Sequence, residues 1–295
     1  MRILVLGLRR SGTTIFWQTL RQDRRLFCLN EPFNPYLREV PVEIPNRSRT
    51  EFIRVFRKDP QLFWRVFAPI GRIEELQEDL NDRQVAYFRY LLSQSEHVAL
   101  DETRCHFKVP ALRELAPDAV LVHLHRSPAA MASSHLIPSG SGGNRAGWLT
   151  KAYGQAGFWT RTDRFNNWGI EELVAQSPES LFGQRLREIG LDPDEVYGLP
   201  AVGKLMAYWR VNYERIEHDG ARCFGDRFIS VRFEDFCARP LEILKGIYEV
   251  AGDAPPALES ARVHPPHPAH DPASSRWREL YALLGLPEDR LPTGA

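Results

Sequence analysis

Cysteine is scarce: four residues, Cys28, Cys105, Cys223 and Cys237, lie far apart among 295 with no C-x-x-C pair. That spacing argues against a zinc ribbon or a disulfide framework, so reduced thiols are expected. Long apolar runs are also missing. No stretch approaches the roughly 18–20 apolar residues of a membrane span. The opening "MRILVLGL" is short for a signal peptide, and Arg9 and Arg10 end its apolar run. Nor is one sign of charge in excess: 38 basic and 38 acidic residues balance. No global field therefore directs the chain to nucleic acid or an anionic membrane. These absences predict a cytoplasmic protein with neither partner. What is present is 43% apolar residues, enough to bury a large core in a chain of this length.

Apolar runs of strand length occur at "ILVL" (3–6), "VAL" (98–100), "AVLVHLH" (119–125) and "FISVRF" (228–233). The first is continuous rather than alternating, as in parallel strands covered on both faces. Helical patterns lie between them. Val202, Leu205, Met206 and Trp209 keep the i, i+3, i+4, i+7 spacing of one buried face, which Tyr213 and Ile216 extend. "RPLEILKGIYEVAG" (239–252) has a proline near its start and a glycine at its end, as a helix should. Strands alternating with helices predict an α/β domain with a central parallel sheet flanked by helices. No internal repeat or linker divides it, so one domain over 1–295 is expected, with a helical or loop insertion at about 138–200. "PSGSGGN" (138–144) and most of 253–275 read as loops.

The chemistry starts at "GLRRSGTT", residues 7–14. A strand, a tight glycine turn and a helix starting near Thr13 place free backbone N–H groups and the helix dipole at one anion site. Ser11, Thr13 and Thr14 add hydroxyls, Gly12 permits the turn, and Arg9 and Arg10 add charge. The G-x-x-x-x-G spacing is half of a Walker A loop, but its K-[ST] half is absent. The plainer alternative is an ordinary strand–turn–helix junction. A second strand–turn–helix carries Arg126 at the strand end, Pro128 in the first helical turn, and Ser134 eight residues beyond Arg126. Alone this pattern is weak, since a strand-end arginine is often a solvated or salt-bridged residue. Paired with the first loop it becomes informative.

With both turns in place, the sequence resembles the sulfotransferases that use 3′-phosphoadenosine 5′-phosphosulfate. "RRSGTT" is similar to their 5′-phosphosulfate loop, P-[KR]-[ST]-G-T-T. "HRSPAAMASS" is similar to their 3′-phosphate motif, R-[DN]-P-x(5)-S, and follows about 115 residues later. Fainter likenesses at "KVP" (108–110), "VRFEDF" (231–236) and "SRWREL" (275–280) extend the match over most of the chain. Two positions depart from the pattern: Arg9 stands for the usual proline and Ser127 for Asp or Asn. The resemblance implies a P-loop-like sulfotransferase fold, that phosphosulfate as sulfuryl donor and 3′,5′-adenosine bisphosphate as product. It implies no required metal, which accounts for the missing Walker lysine. Arg10 then neutralises the leaving bridging oxygen by electrostatic stabilisation.

The nearest likeness in motif layout is to protein-tyrosine and carbohydrate sulfotransferases, which makes Glu31, in "FCLNEPFNP", the candidate general base. The alternative is a capping or salt-bridged glutamate. Cytosolic relatives use a histidine in K-T-H-x-P; here "HFKVP" puts Lys108 at that place, so Lys108 reads as a transition-state stabiliser, with His106 a second candidate for the proton. Arg276 and Trp277 are implied to reach the 3′-phosphate and close over the nucleotide, or else simply to start a surface helix. The acceptor is a hydroxyl of a small molecule, sugar or phenol. Trp148, Tyr153, Phe158, Trp159, Phe165 and Trp168, with Arg161, Arg164 and Asn166, either form its pocket or the core of a helical subdomain. His264, His267 and His270 read as a loop rather than a metal site, because prolines intervene. Two other classes stay open: a nucleotide kinase, against which the missing lysine and the lack of a clear Walker B acid count, and a non-catalytic nucleotide-binding protein.

Overall fold

Every residue of β1 (Arg2–Leu6) except Arg2 is buried, and its side chains divide between two cores. Leu4 and Leu6 point into a cluster with Leu29, Leu100, Phe33, Phe63, Tyr87 and Phe88. Ile3 and Val5 point into another with Cys28, Val122, Phe16, Trp17, Phe236 and Ile247. A strand covered on both faces has no reason to alternate, which is why the run is continuous. The computed structural model describes residues 1–39, 50–137, 152, 154–161, 177–256 and 268–292. They divide into two compact units, residues 1–125 with 215–265, and residues 126–214 with 266–295.

The first unit holds a five-stranded, all-parallel sheet in the order β2-β3-β1-β4-β5, with β2 Phe27–Asn30, β3 Val98–Glu102, β4 Val120–His125 and β5 Phe228–Arg232. Helices α1 (Thr13–Leu20), α2 (Thr50–Lys58), α3 (Pro60–Val66), α4 (Asp82–Leu92) and α5 (Val109–Leu115) lie between the first four strands in sequence. The sheet is the expected one, with one strand more than the apolar runs give. β2 is only four residues long, "FCLN", and a polar Asn30 closes it. It is held by its register on β3, Phe27 opposite Val98 through Asn30 opposite Asp101. The chain runs from β1 out to β2, returns by β3 and crosses to β4. Strand order therefore reverses beside β1, the place where open sheets of this kind bind ligands at their carboxyl ends.

In the second unit, α6 (Pro128–Leu136) starts on a proline, and α7 (Leu181–Glu188) and α8 (Pro193–Gly198) are capped by Ser180 and Asp192. The expected periodic helix is α9 (Ala201–Phe224), 24 residues long, which supplies residues to both units. Tyr208 and Trp209 lie in its buried face, and Trp209 stacks on Tyr213 with centroids 4.5 Å apart. After β5 come α10 (Phe233–Ala238) and α11 (Pro240–Ala251) in the first unit, and α12 (Ser275–Leu283) belongs to the second. No helix among the described residues is long and apolar enough to cross a membrane. Of the segment 138–200, residues 138–151, 153 and 162–176 lie outside the described residues, with Trp148, Tyr153, Arg164, Phe165, Asn166 and Trp168 among them. His264 and His267 do too.

Candidate functional site

The loop after β1 is shaped by two left-handed residues, Arg10 at φ 71° and Gly12 at φ 94°. Only glycine suits the second. A Cβ on Gly12 would fall 2.2 Å from the ring of Phe233. Gly7 is equally constrained, since its Cβ would lie 2.5 Å from the Leu124 carbonyl oxygen. Arg10 has no such excuse, and a left-handed non-glycine residue costs about 1–2 kcal/mol; the surrounding contacts hold it there. The Ser11 amide donates to Leu8 O at 3.0 Å, closing the turn, and the Ile15 and Phe16 amides donate to Gly12 O at 3.0 and 3.1 Å as α1 begins. The earliest amides of α1 fall outside the helix's own ladder. Ser11 is 1% exposed, and its buried Oγ has no hydrogen-bond partner among the described residues. An orphaned hydroxyl beside a helix N-terminus and a half-buried Arg10 fits an anionic, phosphate-like group. Burial lowers the pKa of the Arg10 guanidinium from its ordinary value.

Arg9 and Arg10, adjacent in sequence, have different surroundings. Arg9 is buried and both its terminal nitrogens donate to the Glu75 carboxylate. The same carboxylate accepts from Arg104, whose Nη1 also lies 3.4 Å from Ile70 O. Burial pushes the Arg104 guanidinium down, and Glu75 opposes that shift. Glu75 escaped the sequence reading because it sits 66 residues from Arg9, in a one-turn 3-10 helix, Ile73–Leu76, with no motif around it. Lys108 is 0% exposed, and its ammonium donates to the carbonyls of Glu74 and Gln77, each at 2.7 Å. Burial lowers its pKa. This is a different setting from the one its implied role needs: the charge is sequestered on the 73–77 turn, not presented to a ligand.

Glu31 follows β2 directly, with φ 47° and its amide donating to Asp101 O at 2.7 Å. Both carboxylate oxygens are oriented: Oε1 accepts from Thr103 Oγ1 at 3.0 Å, and Oε2 from Asn34 Nδ2 at 2.9 Å. The side chain is half-buried. His106 is fully buried, with Nε2 3.2 Å from Gly7 O. The apolar "VAL" does run into acids, since Asp101 and Glu102 end β3 beside β1, both buried. Glu102 is engaged with the backbone, its Oε1 accepting from the Phe33 amide at 2.9 Å and its carbonyl from the Gly7 amide at 3.2 Å.

In the second unit, Arg126 is buried directly before α6, and its carbonyl accepts from Trp209 Nε1 at 2.9 Å. Ser127 caps no α6 amide with its side chain; its Oγ donates to Arg290 O at 3.3 Å. Ser134 is half-buried on α6. Arg276 is exposed, with its guanidinium 5.7 Å from the Trp159 ring centre. Trp277 is buried, 4.7 Å from Trp159 and 5.7 Å from Phe158 between centroids, and its Nε1 donates to the carbonyls of His270 and Asp271. So these two segment aromatics, Phe158 and Trp159, pack as a core with Trp277. Arg161 is tied by its carbonyl, which accepts from the Ala201 amide at 2.6 Å.

A model of the sulfotransferase family matches residues 2–176, more than half of the chain and including both the 7–14 loop and the 126–134 segment. The chain belongs to the sulfotransferase family. It is thus an enzyme of a family that draws on a sulfate donor and an acceptor. No curated protein matches its sequence. Among solved structures, this sulfotransferase is similar to the sulfotransferase domain of the Synechococcus PCC 7002 olefin synthase, at 15% identity and TM-score 0.48 over 97% of this chain and 94% of that one. It is similar also to the sulfotransferase domain from the curacin biosynthetic pathway, at 13% and 0.48 over 97% of each chain. A third is sulfotransferase STF1 of Mycobacterium tuberculosis, at 16% and 0.45 over 88% of this chain and 69% of that one.

Proposed function

We propose that this sulfotransferase transfers a sulfuryl group from 3′-phosphoadenosine 5′-phosphosulfate to a hydroxyl of a small molecule, sugar or phenol, in the cytoplasm. The observation that carries the reading is the buried, unpartnered Ser11 Oγ beside the left-handed Gly12 turn and the start of α1. When bound, the donor supplies the sulfuryl group and a phosphate as leaving group. The amides of the loop, Ser11 and the hydroxyls of Thr13 and Thr14 bind and orient its 5′ end. Arg10 offsets the charge that collects on the leaving oxygen, the electrostatic contribution that is usually largest. Glu31 accepts the acceptor's hydroxyl proton on a carboxylate oxygen as the new oxygen–sulfur bond forms and the bond to phosphate breaks. Thr103 and Asn34 hold that carboxylate. Arg126 and Ser134 take the 3′-phosphate, with Arg276 assisting from α12, while Trp277 fixes the start of that helix. Lys108 acts on the protein itself, bracing the 73–77 turn. Free cysteines at 28, 105, 223 and 237 suit a reducing compartment.

Thermal shift tests the donor. 3′,5′-Adenosine bisphosphate without magnesium should raise Tm, and ATP with magnesium should not. The reverse order would make the chain a kinase in function. Arg126→Ala removes a charge-assisted bond of roughly 1.5–3 kcal/mol. It should therefore weaken the bisphosphate by about 10–100-fold and abolish the preference over the nucleotide lacking a 3′-phosphate. Retained preference would move the 3′ site elsewhere.

A further inference from the structure

Glu75 is bound by two arginines from two different segments, and each segment carries part of the chemistry. Arg9 belongs to the loop 7–14. Arg104 directly follows Thr103, whose hydroxyl orients Glu31. The carboxylate is 1% exposed and the two guanidiniums are nearly as buried. We propose that Glu75 is a positioning residue that ties the donor loop to the segment supporting the base. This rests on the sulfotransferase reading given above.

Three observations support it. First, Arg10 holds a left-handed conformation that a non-glycine residue does not adopt unaided. Its neighbour Arg9 anchors the loop from one side, and the Ser11-to-Leu8 bond closes it from the other. Second, Glu75 is itself held firmly. Its amide donates to Gly71 O and Arg72 O at 3.1 and 3.2 Å, Glu74 Oε2 accepts from the Gly71 amide at 2.7 Å, and Lys108 grips the carbonyls of Glu74 and Gln77. A tie works only if its far end cannot move. Third, a buried ion pair is a poor source of stability in itself, because desolvation offsets the attraction, whereas such a group can select one conformation. Here the conformation selected is that of residues 8–12. Arg9 thus serves the donor site from behind, and the proline that the family motif carries at this position is replaced by a side-chain anchor.

The inference is tested by comparing 3′,5′-adenosine bisphosphate, which uses the loop, with adenosine 3′-monophosphate, which does not. Arg9→Met leaves Glu75 its bond to Arg104, so the protein should stay folded. Glu75→Asp keeps the charge and withdraws the carboxylate by one methylene. Each should weaken the bisphosphate by at least about tenfold by calorimetry, with the monophosphate unchanged within about twofold. The double variant should lose no more than about twofold beyond Arg9→Met alone, since both act through one contact. Equal losses for the two nucleotides, no loss in Arg9→Met, or additive losses would overturn the inference. If the parent protein binds neither nucleotide, the donor reading fails on its own. The same variants are then titrated with inorganic pyrophosphate, for which an unchanged affinity in Arg9→Met overturns the Glu75 inference separately.

Discussion

Replacing Glu31 by glutamine changes one atom and should separate chemistry from structure. Oε2 now accepts from Asn34 Nδ2 and Oε1 from Thr103 Oγ1, at 2.9 and 3.0 Å. A glutamine keeps the shape; its carbonyl oxygen can still accept from Asn34, and the Thr103 hydroxyl rotates from donor to acceptor for the new amide. Both bonds survive, but each passes from the charge-assisted to the neutral class, at a cost of about 1 kcal/mol apiece. In a chain of this length that lowers Tm by only a few degrees. Nucleotide affinity should stay within about twofold, because the loop 7–14 is untouched. Turnover should fall by about 10²–10⁴-fold, the usual share of a general base, which is about 2.7–5.5 kcal/mol of barrier. The assay follows label from the donor into acceptors of a metabolite extract, with Tm and bisphosphate affinity measured on the same preparation. Turnover within a few-fold of the parent, with folding and nucleotide affinity intact, would refute Glu31 as the base and pass the role to His106.

Gly12→Ala should lower Tm sharply, because it adds about 1–2 kcal/mol of left-handed strain to an overlap with Phe233 that must be relieved at about 1–3 kcal/mol; an unchanged Tm by calorimetry would show that the turn relaxes freely. Asp23 is governed by pH. Burial alone would raise its pKa, but the Arg25 guanidinium and amide and the Tyr248 hydroxyl outweigh burial and hold it below the ordinary value. A carboxyl depressed on folding contributes stability above its unfolded pKa of about 4 and loses it as pH falls through the lower folded value. Asp23→Asn should therefore lower Tm at pH 7 and flatten the fall in Tm below pH 4, and parallel curves for parent and variant would count against this account.

The parts of the fold that the sequence displays are those whose signal is local. Ile3–Leu6 and Val120–Leu124 read as covered strands because every apolar side chain in them meets one of the two cores. The helix over 239–252 reads from its proline and glycine, and Gly252 indeed ends it at φ 75°. β2 was hidden because four residues give no periodicity, and register on β3 rather than propensity makes it a strand. Asp101 and Glu102 were passed over because three apolar residues are too short a run to mark a strand end.

The loop 7–14 shows where local reading stops. Its glycines, hydroxyls and arginines predict an anion site, but the sequence cannot assign Arg9 and Arg10 their different neighbours. That assignment depends on the left-handed φ of Arg10, which turns the chain between two adjacent side chains, and on a carboxylate 66 residues away. Lys108 is the same case in reverse. A lysine at a motif position reads as a ligand contact, yet two carbonyls of the 73–77 turn take its ammonium. In both, the side chain's partners come from residues 73–77, a short turn with no signature of its own. A charged residue in a motif therefore has two possible clients, the ligand and the scaffold. Burial does not separate them, since Arg126 is as enclosed as Arg9; the bonding partner does, and the partners of Lys108 and Arg9 lie on the 73–77 turn.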